Sequence, residues 1–276
     1  MRTRERPRGP VALLVSATAI VSIGLLLVLP LSAVLVEALR EGLPRWAAAV
    51  SDPATLAALR LTGLVLGIVV PLHAVLGFVA AYAITRFEFP GKSVLVTLID
   101  LPFAISPVVS GLLFVFLFGV RGLFGPFLLE HGVRIVYAVP GVVIATMFVT
   151  LPFVVRELVP LLDAQGREEE EAAATLGAGT LAIMLRVMLP RVRWGLLYGC
   201  VLCAARAAGE FGAVSVVSGH VRGETNTLPL HVEVLYAEYD FVGAFSVASL
   251  LALSGVVTLA LKAFLERRAR MAEAAA

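Results

Sequence analysis

Residues 168–179 read EEEEAAATLGAG. Four consecutive carboxylates, a run of three alanines and two glycines stand in a chain otherwise poor in charge. Of its 276 residues 59% are hydrophobic and 15% charged, and its mean hydropathy is +0.96. Local physics predicts a short helix here. Glu168 to Glu171 favour the positive end of a helix dipole, and Ala172 to Ala174 are strong helix formers. Gly177 is the expected stop, because glycine accepts the left-handed conformation that closes many helices. A second amphipathic stretch, residues 180–189, is expected to run until Pro190 ends it.

Outward from this stretch the chain is apolar on both sides. Residues 11–36, 61–84, 135–155 and 243–261 carry no charged side chain; residues 94–120 carry only Asp100, and 194–219 only Arg206 and Glu210. Each run meets or approaches the roughly 20 residues that cross about 30 Å of hydrocarbon as helix. The expectation is an all-α integral membrane protein with six transmembrane helices. With the N-terminus inside, cytoplasmic segments hold fifteen Lys and Arg against six in external segments, Arg206 lying within a span. That bias places both termini in the cytoplasm. The net charge of +2 comes from arginines scattered at membrane edges, which excludes a nucleic-acid-binding patch.

The opening MRTRERPRGP with its apolar run resembles a secretory signal. However, the apolar run is about 26 residues, too long for an ordinary signal core, so it is read as an uncleaved first span. Cys200 and Cys203 sit at helical spacing in the fifth run without companion ligands, which suits small buried residues better than redox or metal chemistry. No P-loop, H-E-x-x-H or G-x-S-x-G pattern is present, so the sequence offers no enzymatic centre. Hydropathy by itself leaves a channel, a secondary anion carrier and a transporter subunit open.

Spacing in the long loop is more specific. Glu171-Ala172-Ala173, three residues, Gly177, nine residues, then Val187-x-Leu189-Pro190 resembles the EAA loop of importer-type ABC transporter permeases. The resemblance extends to RFEFPGK (86–92), DLPFAISPVVSGLLFVFLFG (100–119) and the segment from ARAAGEFGA (205–213) through EYDFVGAF (238–245) to residue 251. Over residues 57–266 the chain is similar to sulfate/thiosulfate permeases of the CysW type. The ARAAGEFGA segment is shared with molybdate permeases, whereas SGHVRGETNTLPLHVE (218–233) and EYDFVGAF point toward sulfate. The glutamates before Glu171 exceed what the motif requires.

The resemblance implies the ABC importer type-1 permease fold. It divides the chain into a basic tail (1–10), a first transmembrane helix (11–36), a permease core (57–266) with a coupling loop (156–193), and a second tail (267–276). It implies that Glu171, Ala172, Ala173, Gly177, Val187, Leu189 and Pro190 belong to a loop docking in a groove of an ATPase subunit. It further implies an ATPase dimer, a second permease subunit of the T type and an external sulfate-binding protein. ATP and Mg are expected on the ATPase, with no cofactor on this chain.

Charges within spans are candidates for the path. An ionised group at the centre of a lone helix costs about 2.5–3.5 kcal/mol or more, so it has a partner or a task. Arg206 lies about 18 Å of helix rise beyond Trp194, and Glu210 stands one turn further on. The two form either an ion pair locking the bundle or a cation offsetting a passing oxyanion. Asp100, between Pro102 and the start of the third run, is expected to satisfy backbone groups freed by proline kinks. His73 is expected to be a satisfied helix-interface residue. The outer segment 218–240 gathers His220, Arg222, Glu224, Asn226, Thr227, His231, Glu233 and Glu238, a polar lid whose spacing fits no metal-ligand pattern.

Overall fold

Out of water, a backbone must pair its own N–H and C=O groups, and each apolar run accordingly folds as helix. The computed structural model describes residues 10–275, and no strand occurs among them. In chain order the helices are α1 (Pro10–Ala38), α2 (Leu43–Ser51), α3 (Pro53–Arg86), α4 (Lys92–Ala104), α5 (Pro107–Phe118), α6 (Gly125–Glu130) and α7 (Val139–Ala164). There follow α8 (Glu168–Thr175), α9 (Thr180–Ile183), a π-turn (Met184–Met188), α10 (Leu189–Ala208), α11 (Gly212–Val217), α12 (Leu228–Ala237) and α13 (Phe241–Ala275). Among the described residues five helices are long and apolar enough to cross a membrane, and six if the bent pair α4–α5 counts as one span.

The core is centred on α7, which packs between α3 and α10. Close approach is permitted by missing side chains. A Cβ on Gly77 of α3 would stand 2.7 Å from Val154, and one on Gly199 of α10 would stand 3.3 Å from the same residue's Cα. Val154 is thus fully enclosed between two glycines. His73, as expected, lies buried in the α3–α7 interface, its ring nitrogens 2.9 Å from Val69 O and 3.0 Å from Met147 O. Outside this core, α1 meets α13 at its end, where Ser246 Oγ donates to Ala38 O. Helix α2 is held to α13 by Trp46 Nε1 donating to Ser249 Oγ and by the Arg45–Asp240 ion pair.

Three expectations change. The third span is two helices meeting at 114°, not one kinked helix. Pro107 supplies the reason: the residue before proline is forced away from helical backbone, and Ser106 is extended at φ −57°, ψ 134°. The fifth span begins earlier and ends sooner than its apolar run suggests, spanning Thr180–Ala208 before a break at residues 209–211. Pro190 does not end a helix. The preceding π-turn, closed by Leu189 N donating to Met184 O, shifts the hydrogen-bond register so that the proline enters at a new first turn. Within 156–193 only residues 165–167 and 176–179 are then outside helix or π-turn. The expected C-terminal tail continues α13 to Ala275, and the basic tail lies outside the described residues except for Pro10.

Candidate functional site

Helix α8 is built as its residues dictate. Its first turn is Glu168 to Glu171, and it closes with Gly177 N donating to Ala174 O and Ala178 N donating to Ala173 O. This double bond pattern requires a left-handed residue, which Gly177 supplies at φ +86°. Side chains on either side of the cap face outward: Leu176 is 88% exposed and Leu181 65% exposed. Glu171, Ala172 and Gly177 share that outer surface, while Ala173, Val187 and Leu189 are half-buried against the core and Pro190 is exposed. The seven loop residues therefore divide between an exposed face and the seat that holds it.

Two of the glutamates preceding Glu171, Glu169 and Glu170, also hold α8 in place, a role invisible in the run of four. Glu170 is buried, its Oε1 2.6 Å from Arg86 Nε at the end of α3 and its Oε2 accepting from Tyr82 Oη at 3.3 Å. Arg86 Nη2 also donates to Leu162 O at 3.1 Å and Gly166 O at 2.9 Å. Arg167 Nη2 donates to Thr85 O, and Glu169 pairs with Arg191 on α10.

A second cluster forms where two helices break. Helix α10 stops at Ala208, and Glu210 lies in the break rather than on a continuous helix. Its carboxylate is buried, with Oε1 accepting from Ala213 N at 2.9 Å and Oε2 lying 2.5 Å from Arg206 Nη1. Glu210 thereby satisfies a free N–H at the start of α11. Arg206 is one-third exposed while its partner's side chain is 1% exposed. The break in the third span abuts this place. A Cβ on Gly212 would meet Pro107 Cβ at 2.8 Å, and one on Gly111 would meet Ala213 O at 2.7 Å. The expected Arg206–Glu210 pair is thus present, at the crossing of α5 and α11.

Asp100 is elsewhere and does something else. It does not satisfy groups freed by a proline. Its Oδ1 accepts from Arg156 Nε of α7 at 2.8 Å, and the Arg156 guanidinium covers the Phe103 ring at 4.7 Å. The physical reason is reach: Arg156 sits across the α4–α7 interface, and a charge-assisted bond outcompetes a bond to a neutral N–H.

Five or six candidate spans, an exposed glycine-capped helix between two of them and an ion pair at a helix break are the geometry of an integral membrane protein. Residues 73–271 match the family described as the binding-protein-dependent transport system inner membrane component. The chain belongs to this family. Among relatives of this inner membrane component is the sulfate transport system permease protein CysW of Escherichia coli K12, 49% identical over 88% of this chain and 84% of that protein. The sulfate transport system permease protein CysT of Salmonella typhimurium is 35% identical over 88% of this chain and 87% of its own length. A chain of the bacterial alginate ABC transporter, solved with an alginate pentasaccharide-bound periplasmic protein, superposes with a TM-score of 0.74 over 94% of both chains at 16% identity; it shares the fold.

Residues 218–240 of this family member are tied down rather than open. His231 is buried, and its Nε2 is 3.1 Å from Thr55 Oγ1. Since that hydroxyl spends its proton on Ala49 O, the imidazole Nε2–H donates to it. Burial also holds the His231 pKa below its usual value. Leu228 N donates to Thr62 Oγ1, Arg222 pairs with Glu238, and His220 lies 3.8 Å from Glu233. No group of three metal-ligating side chains converges among the described residues. Cys203 is buried in the core and Cys200 half-buried. Sequence reasoning missed Arg86, Arg156 and Thr55 as partners, because each joins a residue at least 56 positions away.

Proposed function

We propose that this inner membrane component is one of the two permease subunits of an ATP-driven importer for sulfate, with thiosulfate as a second substrate. The observation that carries the reading is the 49% identity to a sulfate transport system permease across 88% of the chain. The exposed, glycine-capped helix α8 supports it by offering a surface for a partner. In this reading Glu171, Ala172, Gly177 and the exposed Leu176 meet the groove of an ATPase dimer, seated by Ala173, Val187 and Leu189, with Pro190 completing the loop where α10 begins. ATP and Mg bind on that dimer and not on this chain. A T-type permease completes the membrane unit, and an external sulfate-binding protein delivers the anion. Arg206, Glu210 and Asp100 flank the path, with Arg206 offsetting part of a divalent charge.

Both termini lie in the cytoplasm in this reading, by the excess of basic residues there. Single cysteines at Lys92, Glu171 and Arg267 are expected to resist an impermeant thiol reagent added outside, and cysteines at His131 and Arg222 to react. Labelling of position 171 from outside would overturn the orientation and the docking loop together.

The substrate is tested with the complete complex in proteoliposomes. Excess unlabelled sulfate or thiosulfate is expected to suppress labelled sulfate uptake at least about tenfold, and molybdate less than about twofold, since discrimination is a difference of affinities. Stronger suppression by molybdate would reassign the importer to that anion.

A further inference from the structure

The exposed face of α8 accounts for docking, but docking alone moves nothing in the membrane. A rigid connection from the docked helix to a span is needed, and one group of residues supplies it. Glu170 is on the opposite side of α8 from the exposed Ala172 and Leu176, and is buried. Its partner Arg86 is the last residue of α3, and the two side chains are 11% and 6% exposed. The contact is polyvalent. One guanidinium holds the Glu170 carboxylate through Nε at 2.6 Å and, through Nη2, the carbonyls of Leu162 in the last turn of α7 and of Gly166 in the α7–α8 turn. Tyr82 donates to the second carboxylate oxygen, and Arg167 reaches back to Thr85 O. Four hydrogen bonds thus fasten α8 and its turn, and a fifth the end of α7, to the last turn and a half of α3.

Helix α3 is a suitable lever. Its 34 residues run as a single helix, about 50 Å long. Its outer part holds the far side of the molecule through Thr62 Oγ1 and Thr55, bonded to Leu228 N and His231. Its middle packs on α7 and α10.

We propose that the Arg86–Glu170 clasp is the joint by which displacement of the docked helix α8 is transmitted to α3, making Arg86 and Glu170 positioning residues for coupling rather than contacts to the motor. This rests on the importer reading. A buried guanidinium that serves a carboxylate and two carbonyls at fixed angles resists both rotation and translation, which a lone hydrophobic contact does not. The carbonyl acceptors also make the joint directional: a carboxylate at position 86 would face Leu162 O and Gly166 O, so exchanging the two charges cannot rebuild it.

The test uses the purified complete complex in proteoliposomes and measures sulfate transported per ATP hydrolysed. Wild type must first show ATP-dependent sulfate uptake; its absence would defeat the importer reading and leave the clasp unaddressed. Given that uptake, Glu170→Gln and Arg86→Lys complexes are expected to retain the ATPase at wild-type stoichiometry. Their transport per ATP should fall about tenfold, within the range of energetic coupling changes at linking residues. Tyr82→Phe, which removes one hydrogen bond and no charge, is expected to lower the ratio about twofold to threefold on the same scale. The double exchange Arg86→Glu with Glu170→Arg is expected not to restore it. A ratio unchanged in assembled Glu170→Gln or Arg86→Lys complexes would overturn the proposal, even with less protein in the membrane. If both fail to assemble, an unchanged ratio in Tyr82→Phe would overturn it equally.

Discussion

Replacing Arg206 by alanine is expected to reduce membrane-inserted protein by about tenfold or more, because removing one member of a buried ion pair costs on the order of 3–5 kcal/mol. The burden falls on Glu210, whose side chain is 1% exposed and whose other oxygen is already committed to Ala213 N. Without the guanidinium this carboxylate is enclosed with its charge unmatched. The double variant Arg206→Ala with Glu210→Gln separates folding from transport. The glutamine carbonyl still accepts from Ala213 N, so α11 keeps its cap while the charge disappears. Abundance measured by quantitative immunoblot should recover to within about twofold, as expected when both partners of a buried pair are neutralised. Uptake per molecule should nevertheless remain about tenfold below wild type. Arg206 is one-third exposed beside the helix breaks and offers a cation that no other residue of the pair replaces. Near-normal uptake by the double variant would make the pair a structural lock only.

Gly111→Val is expected to inactivate the protein through packing. The added Cβ would stand 2.7 Å from Ala213 O and 2.8 Å from Val216 Cβ, a backbone atom and a branched side chain that cannot turn aside. Overpacking of a close-packed site costs about 1–3 kcal/mol and sometimes more. Here relief means moving α5 off α11, which also disturbs the N–H that Glu210 caps. The thermal transition of the purified complex should drop by several degrees, about 2–4 °C per kcal/mol on the scale of domains this large. Uptake should be lost with it. Gly67→Val is the control, since a Cβ there meets nothing within 4 Å. Equal thermal transitions for the two variants would contradict the tight crossing of the broken helices.

Much of this architecture was legible from period-free apolar runs, because hydrocarbon admits only self-satisfied backbone. Helix α8 and its glycine stop were legible too, being set by adjacent residues: carboxylates at the first turn, alanines, then Gly177. The Arg206–Glu210 pair followed from a spacing of four. What escaped were relations decided across the fold. Composition marks Pro107 as a perturbation but cannot say that the chain turns through 114° there. Pro190 reads as a terminator until a π-turn that ends two residues earlier is seen to absorb its missing donor. Asp100 finds Arg156 and Glu170 finds Arg86 only because α4, α7 and α3 pack side by side. Four glutamates in a row look alike in sequence; one is buried in a clasp, and of the three exposed ones Glu169 pairs with Arg191.

This chain is expected to move an oxyanion only when coupled to a separate ATPase. The direct measurement is accumulation of labelled sulfate in proteoliposomes that contain the complete complex, with the external binding protein supplied and ATP with Mg at the ATPase. Accumulation above the external concentration is expected with hydrolysable ATP, and none with a non-hydrolysable analogue or with this chain alone. Equilibration of sulfate by the isolated chain without ATP would contradict it and identify a carrier or channel.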